Sequence, residues 1–174
     1  MNMATVWRIH LKSDLKDSPN YGEYCLKNKI VAMGWILEKH NPDIASGKIT
    51  VDSFADFEVY AKAEGMDYNQ IRLLAEEIKS GDFIWTYVGG MYYLAKVTTD
   101  SRYKYNADSD AIYYRACNQL TNINWKLVGD RKNVDENIFK RLQRGTTLCR
   151  LFALKNTNFA FGLQYTQEVF KKLS

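Results

Sequence analysis

The sequence predicts an α+β domain built on a curved, mostly antiparallel sheet or small open β-barrel with short flanking helices. Three observations predict it. Short alternating or β-branched runs recur along the chain, amphipathic helical stripes are inserted between them, and no regular strand–helix–strand order supports a doubly wound sheet. The 174 residues are 46% apolar and 25% charged, which suits one domain, 1–174, around one continuous core.

The elements follow in order. Trp7, Ile9 and Leu11 alternate with Arg8 and His10, which predicts a half-buried strand over 6–11 with a polar outer face. Residues 12–24 are polar, carry Pro19 and Gly22, and read as a loop. The apolar run 29–37 predicts a second strand, in which Gly34 marks a bulge or a close backbone approach. Asn41-Pro42 and Ser46-Gly47 are loop signals. Asp52 or Ser53 caps a helix with Phe54, Phe57, Tyr60 and Ala61 on one stripe, stopped by Gly65. Asp67 or Asn69 caps the next, where Ile71, Leu74, Ala75 and Ile78 share a face and Ser80-Gly81 is the stop. The runs 83–88 and 91–98 flank Gly89-Gly90, a two-residue hairpin turn placing Val88 opposite Met91. A polar loop over 99–110, strands over 112–116, 123–128 and 146–153, a basic helix over 135–142 and a terminal helix from Thr166 complete the reading.

Composition narrows the function classes. The longest apolar stretch, 30–37, is far short of a membrane span, and Arg8, His10 and Lys12 interrupt any signal-like segment, so a cytoplasmic location is expected. Cys25, Cys117 and Cys149 are odd in number and far apart, which supports neither a disulfide framework nor a zinc ribbon. Two histidines, His10 and His40, give no zinc-hydrolase spacing, and no phosphate loop or nucleophile elbow is present. Asp67 with Glu77-Ile78-Lys79 has the residue types of a magnesium nuclease, but helix positions two apart do not face one site. The expectation is therefore a protein with no catalytic residue, no metal and no cofactor.

Charge and rings point elsewhere. Residues 1–119 hold 14 basic and 16 acidic side chains, whereas 120–174 hold 10 and 4. With 12 Tyr and 4 Trp, the chain pairs a basic C-terminal third with many amphipathic rings, as single-strand binders do. Tyr103 and Tyr105, between Arg102 and Lys104, read as exposed rings interleaved with cations.

Several segments together resemble one family. They are Trp7-Arg8-Ile9-His10-Leu11-Lys12-Ser13-Asp14, Ala32-Met33-Gly34-Trp35, Ile78-Lys79-Ser80-Gly81-Asp82-Phe83, Asp100-Ser101-Arg102-Tyr103, Tyr114-Arg115 followed by Trp125, and Thr146-Thr147. In this order they resemble the EVE/YTH branch of the PUA-like superfamily, in particular the reader modules of modification-dependent restriction enzymes. The chain departs from that pattern at Ser101, where an aromatic or bulky residue is usual, and over 106–112, which lack a Pro-His approach to the second arginine.

The resemblance implies a nonenzymatic module that captures a single, modified base of DNA or RNA in an aromatic pocket, with any effector protein supplied in trans and no membrane partner. It implies Trp35 as one wall of the pocket, Trp125 or Tyr103 as the other, and Ser13 and Asp14 as readers of the base edge. Arg102, Arg115, Lys126, Arg131 and Lys132 are then phosphate contacts, with Arg141 and Arg144 a secondary patch. The alternatives are a protein-interaction or small-ligand module on the same barrel and, more weakly, the metal-dependent nuclease.

Overall fold

The computed structural model describes residues 3–11, 21–107, 116–143, 147–151 and 159–174. Its strands are β1 (Val6–Ile9), β2 (Val31–Met33), β3 (Phe83–Val88), β4 (Met91–Lys96), β5 (Tyr103–Tyr105), β6 (Asn118–Leu120), β7 (Lys126–Gly129) and β8 (Leu148–Arg150). Its α-helices are α1 (Tyr21–Lys27), α2 (Asn41–Ala45), α3 (Phe54–Ala63), α4 (Asn69–Arg72), α5 (Glu136–Leu142) and α6 (Phe159–Lys172), with a π-helical turn, Leu73–Glu77, continuing α4. The class is α+β. A mixed sheet has the order β7-β4-β3-β1-β8, with β1 and β3 parallel and the other pairs antiparallel. A second, antiparallel sheet has the order β2-β6-β5. The described strands form these two sheets and not a closed barrel.

Alternation along the strands divides the interior in two. Trp7, Ile9, Ile84, Val88 and Ala95 face a larger core shared with α1, α3 and the three-stranded sheet. Val6, Phe83, Trp85, Tyr92 and Leu94 face a second core under α5 and α6. The predicted polar face of the first strand is thus covered, and Arg8 is only 1% exposed. Its guanidinium donates to the Leu142 carbonyl and to Cys149 Sγ (3.2 Å) and meets His10 Nε2. Covering both faces also suits β1's parallel pairing, since parallel strands are seldom left open to water.

Asp82 locks that parallel pair. The residue is 4% exposed, and its Oδ1 accepts the Thr5 amide (2.8 Å) while Oδ2 accepts Trp7 Nε1 (2.9 Å) and the Lys79 amide (3.0 Å). Three donors from two strand entries converge on one carboxylate, which fixes the register Val6 opposite Phe83. The hairpin follows the sequence reading: Gly89 (φ 57°) and Gly90 (φ 85°) make the turn, and Val88 pairs with Met91. Ser53 and Asp56 cap α3 reciprocally.

Other elements differ from expectation for local reasons. The stretch read as loop up to residue 24 holds α1, because Gly22 is a packing glycine. A Cβ there would lie 2.7 Å from Val88 Cγ2 and 3.1 Å from the Leu11 carbonyl. Residues 103–105 form a strand within the predicted loop, with Tyr105 buried, so the two tyrosines are not an exposed stacking platform. The second strand stops at Met33 because the chain turns left-handed at Trp35. The terminal helix begins at Phe159, and Thr166 lies inside it, buried, accepting Trp85 Nε1 at 3.1 Å. The predicted strand over 112–116 lies outside the described residues except for Ala116. No described helix is long and apolar enough to cross a membrane.

The Asp82 knot yields a stability prediction. Asp82→Ala is expected to lower the unfolding free energy by about 3 kcal/mol in urea titrations, since charged acceptors of buried donors are costly to remove. Asp82→Asn rescues little of this, because its amide nitrogen would face donors only.

Candidate functional site

The chain takes an unusual corner just past β2. Trp35 sits at φ 64°, a left-handed conformation that bulky residues rarely adopt, and its indole is 39% exposed. Such strain persists only where the surroundings over-determine it. Here the clamp is Asn118 on β6, which has no exposed surface. Its Nδ2 donates to the carbonyls of Gly34 (2.5 Å) and Trp35 (3.2 Å), and its Oδ1 accepts the Tyr103 hydroxyl at 2.7 Å. Tyr105 extends the clamp: its hydroxyl accepts the Leu37 amide (3.0 Å) and donates to Asn41 Oδ1 (3.0 Å), while Asn41 Nδ2 donates to the Ala107 carbonyl. Side chains of β5 and β6 therefore hold the segment from Gly34 to Asn41 in place.

The other expected walls are set differently. Tyr103 lies beneath the corner and not across from it. Its ring packs edge-on against Phe54 (5.7 Å) and Phe57 (6.5 Å), and burial pushes its hydroxyl far above the ordinary tyrosine range. Trp125 is half-buried and donates Nε1 to the Ile30 carbonyl at 3.0 Å. It thus adjoins the residue before β2, whereas Trp35 lies past the end of that strand, five residues further along the chain. The structure links Trp35 and Tyr103 through Asn118, and the Trp125 indole bonds elsewhere, to the Ile30 carbonyl.

The expected phosphate contacts are dispersed. The exposed Arg102 donates to the backbone carbonyls of Thr99 and Ser101. Lys126 lies over the Phe170 ring (4.9 Å) and donates to the Leu173 carbonyl and Ser174 Oγ. Arg131 covers the Phe139 ring at 3.7 Å, donates to the Val134 carbonyl and pairs with Glu136. Arg141 donates to the Leu151 carbonyl, and Lys132 is exposed. Lys126, Arg131 and Arg141 accordingly stand on the α5–α6 side of the mixed sheet, away from the three-stranded sheet. Ser13, Asp14, Arg115 and Arg144 lie outside the described residues.

The remaining reactive groups have structural partners. Glu77 pairs with Arg150 at 2.9 Å, and Asp67 Oδ1 accepts the Asn69 amide at 3.1 Å. Among the described residues no three His, Cys, Asp or Glu side chains gather to hold a metal ion. Burial pushes both the Cys25 and the Cys117 thiol up to about 12. Sequence reasoning missed Asn118. The signal available was an amide between Cys117 and Leu120, where β-sheet burial would force it to find partners.

Compared with known families, residues 7–151 match the model of one described as a domain of unknown function, DUF8426. No curated protein and no solved structure matches the chain.

The thiols give a direct check on this geometry. With two thiols raised to about 12, roughly one molecule in ten thousand carries either thiolate at pH 8. Titration of native protein with a thiol reagent is expected to modify only the half-buried Cys149 quickly, and all three cysteines once the chain is unfolded.

Proposed function

The chain belongs to the DUF8426 family, and we propose that this domain is a nonenzymatic, PUA-like reader of nucleic acid that captures one extruded base, a modified one, against Trp35. The observation that carries the reading is the corner itself: an exposed indole held on a left-handed backbone by a buried carboxamide. A core tryptophan needs neither the strain nor the exposure, whereas a ring preset to receive a planar ligand benefits from both.

The energetics are consistent. Extruding a base costs a few kcal/mol, and stacking it on a fixed aromatic ring returns about 1–3 kcal/mol. A methyl group filling an apolar corner adds about 0.8 kcal/mol, or roughly fourfold. Sharper discrimination needs a polar group that the wrong base leaves unpaired. The reading places the protein in the cytoplasm, where DNA or RNA is within reach, with an effector supplied by another chain.

A panel of short oligonucleotides carrying N6-methyladenine, 5-methylcytosine or 5-hydroxymethylcytosine, set against plain controls, tests the proposal by fluorescence anisotropy. At least one modified strand should bind more tightly than its control, and all should weaken with salt. Trp35→Ala should cost about tenfold in affinity for the preferred strand and erase its preference, with the salt slope unchanged, because the indole carries no charge. A variant that discriminates like its parent would contradict the assignment.

A further inference from the structure

A groove opens on the α6 side of the mixed sheet, where the C-terminal half of that helix meets the start of β3 and the end of β4. Its volume is about 520 Å³, within the range of small-molecule sites. Phe83 and Lys96 stand directly opposite each other on the two strands, and Gln167, Phe170 and Lys171 of α6 line the groove with them.

The lining divides into an apolar floor and a cationic rim. Phe83 and Phe170 meet edge to face at 5.6 Å, and Phe170 is only half-buried, so part of its ring lies open in the groove. Lys96 and Lys171 are exposed, and neither pairs with a carboxylate among the described residues. The Lys96 ammonium lies 5.6 Å from the centroid of the Phe83 ring, which holds this charge at the groove. No Asp or Glu is among the lining residues.

Open carbonyls at the end of α6 would repel an anion, but they are already occupied. The Phe170 carbonyl accepts the Leu173 amide and the Ser174 hydroxyl, and the Lys171 carbonyl accepts the Ser174 amide. The Leu173 carbonyl accepts Lys126 Nζ at 3.1 Å. Lys126 therefore serves the helix end, which leaves Lys96 and Lys171 uncommitted. Two such cations beside an aromatic floor suit a ligand that is itself part ring and part anion.

We propose that this groove binds a small aromatic organic anion, an aryl carboxylate or phosphate, with its ring on Phe170 and its charged head between Lys96 and Lys171. The groove adjoins the second core, whereas the clamp beneath Trp35 adjoins the first, so this inference does not depend on base capture.

The test titrates 1-naphthoate, its neutral analogue 1-naphthalenemethanol, and acetate into the protein while amide signals are followed by nitrogen–proton correlation. Naphthoate should bind saturably, with a dissociation constant of about 1 mM or below, and shift the signals of Lys96, Phe170 and Lys171. The alcohol lacks the charge and acetate lacks the ring, so each should bind at least about fivefold more weakly. Lys96→Gln and Lys171→Gln should each weaken naphthoate binding about threefold, and together about tenfold, a difference that fades in concentrated salt. Gln167→Trp changes an exposed position of α6, fills the groove, and should abolish binding with the fold intact. The proposal is overturned if naphthoate gives no saturable shift at these residues, if the alcohol binds as tightly, or if the double lysine variant binds like the parent. It also falls if an oligothymidylate moves these signals and naphthoate does not, since the groove is then a contact for a nucleic-acid strand.

Discussion

One buried carboxamide organises the candidate site. Asn118 holds the backbone of Gly34 and Trp35 with its nitrogen and the Tyr103 hydroxyl with its oxygen, so three separate stretches of chain depend on a single side chain. Tyr103 is in turn positioned by Phe54 and Phe57 of α3, whose own start is fixed by the Ser53–Asp56 capping box. The exposed indole is therefore coupled to the packing of a helix well removed in sequence. Rigidity of this kind lowers the ordering cost of binding, which is where a preorganised aromatic surface gains affinity.

The mixed sheet provides the frame. Its two covered faces let Arg8 and Asp82 sit almost wholly inside, each with hydrogen-bonding partners. Asp82 gathers donors only, so its place in the fold is chemical and not merely steric. Part of the basic C-terminal third covers rings: Lys126 and Arg131 each lie over an aromatic ring, and Arg150 over Trp7, while Lys132, Lys140, Lys171 and Lys172 are exposed. Net charge by segment thus overstated the free cationic surface. An arginine that covers a ring and bonds a carbonyl offers less to a phosphate than its count suggests.

Local chemistry was legible in the sequence wherever one turn or cap decided the outcome. Gly89-Gly90 announced the hairpin and its register, Ser53 announced the start of α3, and Gly65 closed it with positive φ, whereas the helical segment expected to stop at Ser80-Gly81 ends earlier, at Glu77, with Ile78 extended. Where tertiary contact decided, the sequence misled. Gly22 reads as a loop residue until Val88 is seen to lie against it, and Arg8 reads as solvated until α5 and α6 cover it. Tyr103 and Tyr105 carry the same lesson: Arg102 and Lys104 beside them suggested an exposed loop, but strand alternation turns the rings inward and leaves Lys104 outside. Trp35 was legible as a candidate from the glycine before it. The strain at its own backbone, and the amide that imposes it, needed the fold.

The chain contains four indole N–H groups in distinct settings. Trp7 donates to Asp82, Trp85 to Thr166 and Trp125 to the Ile30 carbonyl, whereas the Trp35 indole has no hydrogen-bond partner among the described residues. A nitrogen–proton correlation spectrum recorded during titration with the preferred oligonucleotide resolves them individually. The account predicts that the Trp35 signal moves upfield under the ring current of a stacked base while the other three hold their positions. A saturable titration that leaves the Trp35 signal in place would contradict it.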